Sequence, residues 1–128
     1  LEGRDGADTL AGGKGDDVLI GGFGADAFLF DAGLDAATNV DTILDFKAGK
    51  DAIVLDNAVF KGLAAGALAP GALAIGAAAA DADDRIVYDP ATGKLWYDAD
   101  GTGAAAQILF ATLASPPATL AASDFAVI

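Results

Sequence analysis

The 128-residue sequence contains no cysteine, no histidine and no methionine. Without cysteine there is neither a disulfide nor a thiolate metal site. Without histidine there is no Ser-His-Asp or Cys-His pair, no imidazole-ligated zinc and not the commonest general base. Basic residues are scarce, seven against 19 acidic, which gives a formal charge of −12. That balance argues against nucleic acid, whose phosphates need Lys and Arg to displace counterions, and it disfavours anionic membrane surfaces. No apolar run of about 18 residues suggests a membrane span, and no N-terminal signal peptide is visible. What remains possible for so acidic a chain is a bound cation or simple solubility.

Apolar residues are plentiful, but many are alanine, and the large ones are seven Phe, two Tyr, one Trp and scattered Leu, Ile and Val. Seventeen glycines make the chain turn-rich, which is unlike a helical bundle. Much of that glycine sits in an internal repeat. Three nine-residue units follow one another without a gap: Gly3 to Ala11 (GRDGADTLA), Gly12 to Ile20 (GGKGDDVLI) and Gly21 to Leu29 (GGFGADAFL). Position one is Gly3, Gly12 and Gly21, and position four is Gly6, Gly15 and Gly24. Position two is Gly13 and Gly22 in the later units but Arg4 in the first. Position six is Asp8, Asp17 and Asp26, and position eight is Leu10, Leu19 and Phe28. Leu1 and Glu2 fit the end of a preceding unit, so the array is expected to continue upstream in a larger protein.

The unit has a direct physical reading. A six-residue segment with two or three glycines curls tightly, because glycine reaches positive φ without a Cβ clash. The curl turns carbonyl oxygens inward beside one carboxylate. The next three residues run extended, with the apolar one pointing to one side. Repetition stacks short strands into a coil whose interior is apolar and whose two edges are rich in oxygen. Such edges suit a hard cation with six to eight oxygen ligands. Asp5 and Asp16 are extra acids in these turns and are expected to be solvated.

These units resemble the GGxGxDxUx nonapeptide of the RTX, or haemolysin-type, calcium-binding family of secreted bacterial proteins. The resemblance implies an all-β chain in which a right-handed parallel β-roll is followed by an antiparallel β-meander or sandwich cap. It implies Ca²⁺ held between turns two units apart. Asp8 and Asp26 would then share an edge with the carbonyls of Gly3, Gly6, Gly21, Gly22 and Gly24. Asp17, with the carbonyls of Gly12, Gly13 and Gly15, would lie on the other edge. Asp41 to Ile53 resembles the DxIxDFxxGxDxI element that follows the repeats in this family, a serralysin-like feature. By that resemblance Asp35 and Asp41 complete the last calcium site, opposite the Asp17 turn. Asp45 and Asp51 read instead as turn formers and N-caps.

Residues 1–30 are therefore expected to form the roll and residues 31–128 its cap, as effectively one folded unit. Lys61 to Ala82 reads either as one or two short helices, broken at Gly66 and Pro70-Gly71, or as loosely packed loop. Arg85-Asp89, Lys94-Asp98 and Gln107-Phe110 read as an antiparallel meander packed on the roll. Asp98 to Gly103 suggests an EF-hand loop, but its twelfth position is Leu109 rather than Glu, so a turn is expected. Tyr88, Trp96 and Tyr97 read as sheet residues, with sugar stacking as the other use. The terminal Asp124-Phe125-Ala126-Val127-Ile128 resembles the tail that engages a type I secretion apparatus, and it also reads as a last strand. The expected function is a non-enzymatic, calcium-binding C-terminal domain of a larger secreted bacterial protein, covalently linked to an upstream domain, that folds on calcium outside the cell. The alternative is a polysaccharide- or surface-binding accessory module.

Overall fold

The computed structural model describes residues 1–76, 78–101 and 106–128. It is nearly all β, with eleven strands and two short 3-10 turns among the described residues. The repeats give β1 (Thr9–Leu10), β2 (Val18–Leu19) and β3 (Ala27–Phe30). These are followed by β4 (Asp41–Ile43), β5 (Ala52–Leu55), β6 (Gly66–Ala67) and β7 (Leu73–Ile75). Strands β8 (Ile86–Asp89), β9 (Lys94–Tyr97), β10 (Ile108–Leu113) and β11 (Phe125–Val127) complete the chain.

Successive strands of the first half alternate between two sheets. One sheet has the order β1-β3-β5-β11-β6 and the other β2-β4-β10-β9-β8-β7. The pairs β1·β3, β3·β5, β5·β11, β2·β4 and β4·β10 are all parallel. This follows from the repeat: each turn reverses the chain onto the facing sheet, so a strand meets its own kind only two units later. The register then aligns the apolar position of each unit. Leu10, Phe28, Ile53 and Phe125 lie side by side across the first sheet, and Leu19, Ile43 and Leu113 across the second. All seven are buried. Each such side chain contributes about 1.5–3 kcal/mol on burial. Strands only two residues long therefore persist because they belong to continuous apolar ladders, not through their own hydrogen bonds.

Aromatic rings fill the space between the sheets beyond the repeats. Phe60 meets Tyr97 and Phe110 edge-on at centroid distances of 5.5 and 5.0 Å, and Phe110 meets Phe30 at 5.2 Å. The register shift in β10 between Leu109 and Ala111 makes Phe110 the extra residue of a bulge, and its ring is buried.

Three expectations are refined. The meander β8-β9-β10 forms as expected through antiparallel pairs, and its Phe110 meets Phe30 of β3. Through β10 it continues the sheet that begins with β2 and β4. The reason is that β4 would otherwise present an unpaired edge, and β10 matches it in register. The 61–82 stretch holds no α-helix among its described residues; it carries β6, a 3-10 turn at Pro70–Ala72 and β7. Its alanines favour helix, but pairing of β6 with β11 and β7 with β8 prevails. Asp16 is exposed, as expected of a solvated acid, and in addition accepts the Val40 N–H at 2.7 Å. The expected turn before β9's partner strand, at Asp98 to Gly103, includes Thr102 and Gly103, which lie outside the described residues. No helix among the described residues is long and apolar enough to cross a membrane.

Candidate metal centre

The turn of the first unit stacks on that of the third. The Phe23 N–H donates to the Arg4 carbonyl and the Gly6 N–H to the Phe23 carbonyl, both at 2.8 Å. The approach is close. A Cβ on Gly22 would lie 2.0 Å from the Arg4 carbonyl oxygen, and one on Gly24 1.9 Å from that of Gly6. Arg4 stands where the later units have glycine and adopts the same left-handed conformation, φ 78° against 80° at Gly13 and 94° at Gly22. The departure from the motif at Arg4 thus leaves the turn's course unchanged.

The three repeat aspartates, Asp8, Asp17 and Asp26, share one feature, an Oδ2 buried without a hydrogen-bond partner. The other oxygen of Asp26 accepts the Asp8 backbone N–H at 3.0 Å. Each Oδ2 sits against the first glycine of its own turn, within 2.7 Å of where a Cβ on Gly3, Gly12 or Gly21 would be. The carbonyl oxygen of Gly21 approaches the same point beside Gly3 as Asp8 Oδ2, also within 2.7 Å, so oxygens of two stacked turns converge there. No backbone N–H among the described residues donates to the carbonyls of Gly3, Gly6, Gly21, Gly22 and Gly24, or to those of Gly12, Gly13 and Gly15. A buried anionic oxygen with no donor is costly. Three of them at one repeat position, each beside unengaged carbonyls, form a donor set for a hard cation. No group of three or more acidic side chains converges on one point among the described residues. This is what the repeat dictates, because each turn supplies one carboxylate and several carbonyls.

On the other edge, the partner of the Asp17 turn is the segment before β4. Asp41 Oδ1 accepts the Asp17 N–H at 3.1 Å, and Asp41 is only 3% exposed. Burial first, then the neighbouring charges of Asp17 and Asp16, push its carboxyl up to about 6, against the pull of the Asp17 N–H. Asp35 lies with Lys14 and Gly15 around one 320 Å³ cavity, so its loop faces the same turn. Its own carboxylate is exposed and turned inward on its loop, accepting the Ala37 N–H at 2.8 Å. That N–H, with the Thr38 hydroxyl, holds its carboxyl below the usual range.

The Asp41 shift has a consequence in the absence of calcium. Between the ordinary carboxyl range and about pH 6 the folded chain holds a proton that the unfolded chain has released. Stability therefore falls as pH rises through that window. In EGTA, the folded fraction by circular dichroism is expected to be higher at pH 5 than at pH 7, and Asp41→Asn is expected to flatten the difference.

Residues outside the expected set also hold the turns. Asp45 accepts from the backbone N–H groups of Gly21 and Gly22 at 2.9 and 2.8 Å. Asp51 accepts from Asp26 N–H at 3.0 Å and from Lys47 N–H at 2.9 Å. Asp51 is thus the turn cap that its position suggests and, with Asp45, also the partner of the third repeat turn. Asp124 in turn accepts the Gly49 N–H at 2.7 Å, tying the tail to that cap. Of the sheet aromatics, Tyr88 and Tyr97 are buried and Trp96 is half-buried.

Residues 7–66 match the family model described as Peptidase M10 serralysin C terminal. Over this span, a little under half of the chain, the sequence is similar to serralysin C-terminal domains. Domains of this type are generally RTX-type and calcium-binding, and they occur in secreted proteins. The matched span runs from the first repeat turn into β6 and takes in every candidate metal ligand named above except Gly3 and Gly6. No curated protein matches the chain.

Proposed function

We propose that the chain is a non-enzymatic calcium-binding domain at the C-terminal end of a larger secreted bacterial protein, and that its stacked turns fold when calcium is present. The observation that carries this reading is the trio of buried, unpartnered Oδ2 atoms of Asp8, Asp17 and Asp26. Asp8 and Asp26, with the carbonyls of Gly3, Gly6, Gly21, Gly22 and Gly24, would hold an ion between the first and third turns. Asp17, with Gly12, Gly13 and Gly15, would hold one on the other edge, with Asp41 beside it and the Asp35 loop opposite. Bound calcium supplies positive charge to oxygens that otherwise repel one another. The alternation of parallel strands between two sheets supports a coil, which we take as the right-handed β-roll of the family.

Without that charge the carboxylates oppose stacking, and the glycine-rich turns lose much entropy on ordering. The chain then stays largely unfolded, a form suited to a narrow type I export channel that reads the terminal segment. Outside the cell, calcium binding becomes folding energy, and the same terminal residues settle as β11 beside β5. The upstream domain supplies whatever activity the whole protein has.

Circular dichroism in EGTA and in millimolar calcium tests this. We expect little β signal in EGTA and a cooperative rise with a midpoint of about 0.1–1 mM, the range of extracellular calcium modules. The same folded spectrum in both conditions refutes the reading.

A further inference from the structure

Away from the repeat edges, residues of the 61–85 segment line a cavity of 420 Å³ that is open to solvent on one side. That is within the range of small-molecule sites, about 300–1,000 Å³. Its walls include Leu63, Ala64, Leu68 and Ala72, and its ionisable lining residues are Asp83 and Arg85. The guanidinium is incompletely used. Nη1 donates to the carbonyl oxygens of Ala82 and Asp84 at 2.7 and 3.0 Å, whereas Nε is buried with no partner. No carboxylate among the described residues accepts a hydrogen bond from this guanidinium. Gly62 approaches Nε closely, since a Cβ there would come within 3.2 Å of it.

A buried donor with no acceptor is a cost that a ligand oxygen can remove. The planar fork of arginine accepts a carboxylate along two parallel N–H bonds. The rest of the cavity selects what may be attached to that carboxylate. Apart from Asp83 and Arg85 its side-chain walls are aliphatic among the described residues, with no hydroxyl or carboxamide to hydrogen-bond a sugar or a peptide amide along its length. Asp83 and the net charge of −12 oppose a ligand in proportion to its negative charge, so a single carboxylate is disfavoured less than a polyanion. We propose that this cavity binds a medium-chain aliphatic carboxylate, with the carboxylate on Arg85 and the chain along Leu63, Ala64, Leu68 and Ala72. The site is separate from the repeat turns. Its test needs only a folded chain, checked by circular dichroism in the same samples, whether or not calcium drives that folding.

Calorimetric titration of the folded chain with octanoate, octan-1-ol and acetate separates charge from chain. Octanoate is expected to bind one to one, with the alcohol and acetate each at least about tenfold weaker. Arg85→Gln is expected to weaken octanoate at least about tenfold and to leave octan-1-ol unchanged. Ala64→Trp fills the cavity while leaving the guanidinium in place, and is expected to weaken octanoate by a similar factor; it decides the matter if Arg85→Gln does not fold. A capped apolar tripeptide with a free C-terminus carries the same carboxylate and is expected not to compete. Absence of octanoate binding, equal affinity for octanoate and octan-1-ol, unchanged affinity in both variants, or a tripeptide that binds as tightly as octanoate would overturn the proposal.

Discussion

Asp26→Asn is expected to make the chain more folded without calcium and less responsive to it. Asp26 is 2% exposed, the most enclosed of the three repeat aspartates. Its Oδ1 accepts the Asp8 N–H, and asparagine retains an oxygen for that bond. Its Oδ2 has no donor and sits 2.4 Å from where a Cβ on Gly21 would be. An amide nitrogen placed there removes a buried charge and points a donor at the unengaged glycine carbonyls. Leaving a buried charge unpaired costs several kcal/mol, so the calcium-free form gains stability. In calcium the same change removes an anionic ligand, and affinity in such sites follows ligand charge. The midpoint is expected to rise at least about tenfold, or about 1.4 kcal/mol. Asp17→Asn, at a half-buried position, should shift both limbs in the same directions by less. A calcium titration from EGTA at constant ionic strength reads both limbs. An unchanged midpoint, or a variant less folded in EGTA, would show that the Oδ2 of Asp26 faces no cation.

The repeat made the first three strands and their buried residues readable, because one offset fixes turn, strand and inward side chain together. It also paired the Asp8 and Asp26 turns correctly, since their separation of 18 residues is two whole units. Beyond the array that arithmetic fails in an instructive way. Two units past Asp17 lies Asp35, but the loop before β4 is longer than a repeat, and the acid that reaches Asp17 N–H is Asp41, 24 residues on. Two units past Asp26 lies Leu44, which is exposed, and Asp51 takes the equivalent place 25 residues on. The insertions move the acid along the chain but leave it at the same place in the stack. What spacing alone cannot supply is that Asp45, read only as a turn former, turns its carboxylate back to Gly21 and Gly22. That contact depends on where the 45–51 turn docks, and the dock depends on Asp124, 75 residues after Gly49. The meander was legible for a similar reason to the repeats: Pro90 to Gly93 is a local turn signal between two alternating strands. Its place beside β4 rests on a long-range parallel pairing, which leaves no local mark.

The largest loss of stability in calcium is expected from Gly24→Ala, and comparison with Gly15→Ala separates its two causes. Both glycines hold position four of their turns, at φ 129° and 104°, where a side chain is strained. At Gly15 nothing lies within 4 Å of an added Cβ. Alanine there should cost only the left-handed strain, about 1–2 kcal/mol. At Gly24 the added Cβ would lie 1.9 Å from the Gly6 carbonyl oxygen and 2.5 Å from its carbon. Backbone cannot swing aside as a side chain does, so the first turn must leave the third. The bonds Phe23 to Arg4, Gly6 to Phe23 and Asp8 to Asp26 would go with it, along with the convergence of oxygens beside Gly3. A total of at least about 4 kcal/mol is the scale for a clash combined with loss of a buried network. Urea unfolding in saturating calcium should therefore place Gly24→Ala far below Gly15→Ala, with a calcium midpoint shifted well beyond the Asp26→Asn value. Equal midpoints for the two alanine variants would mean that the turns of the first and third units do not stack, and the calcium site assigned between them would fall with that contact.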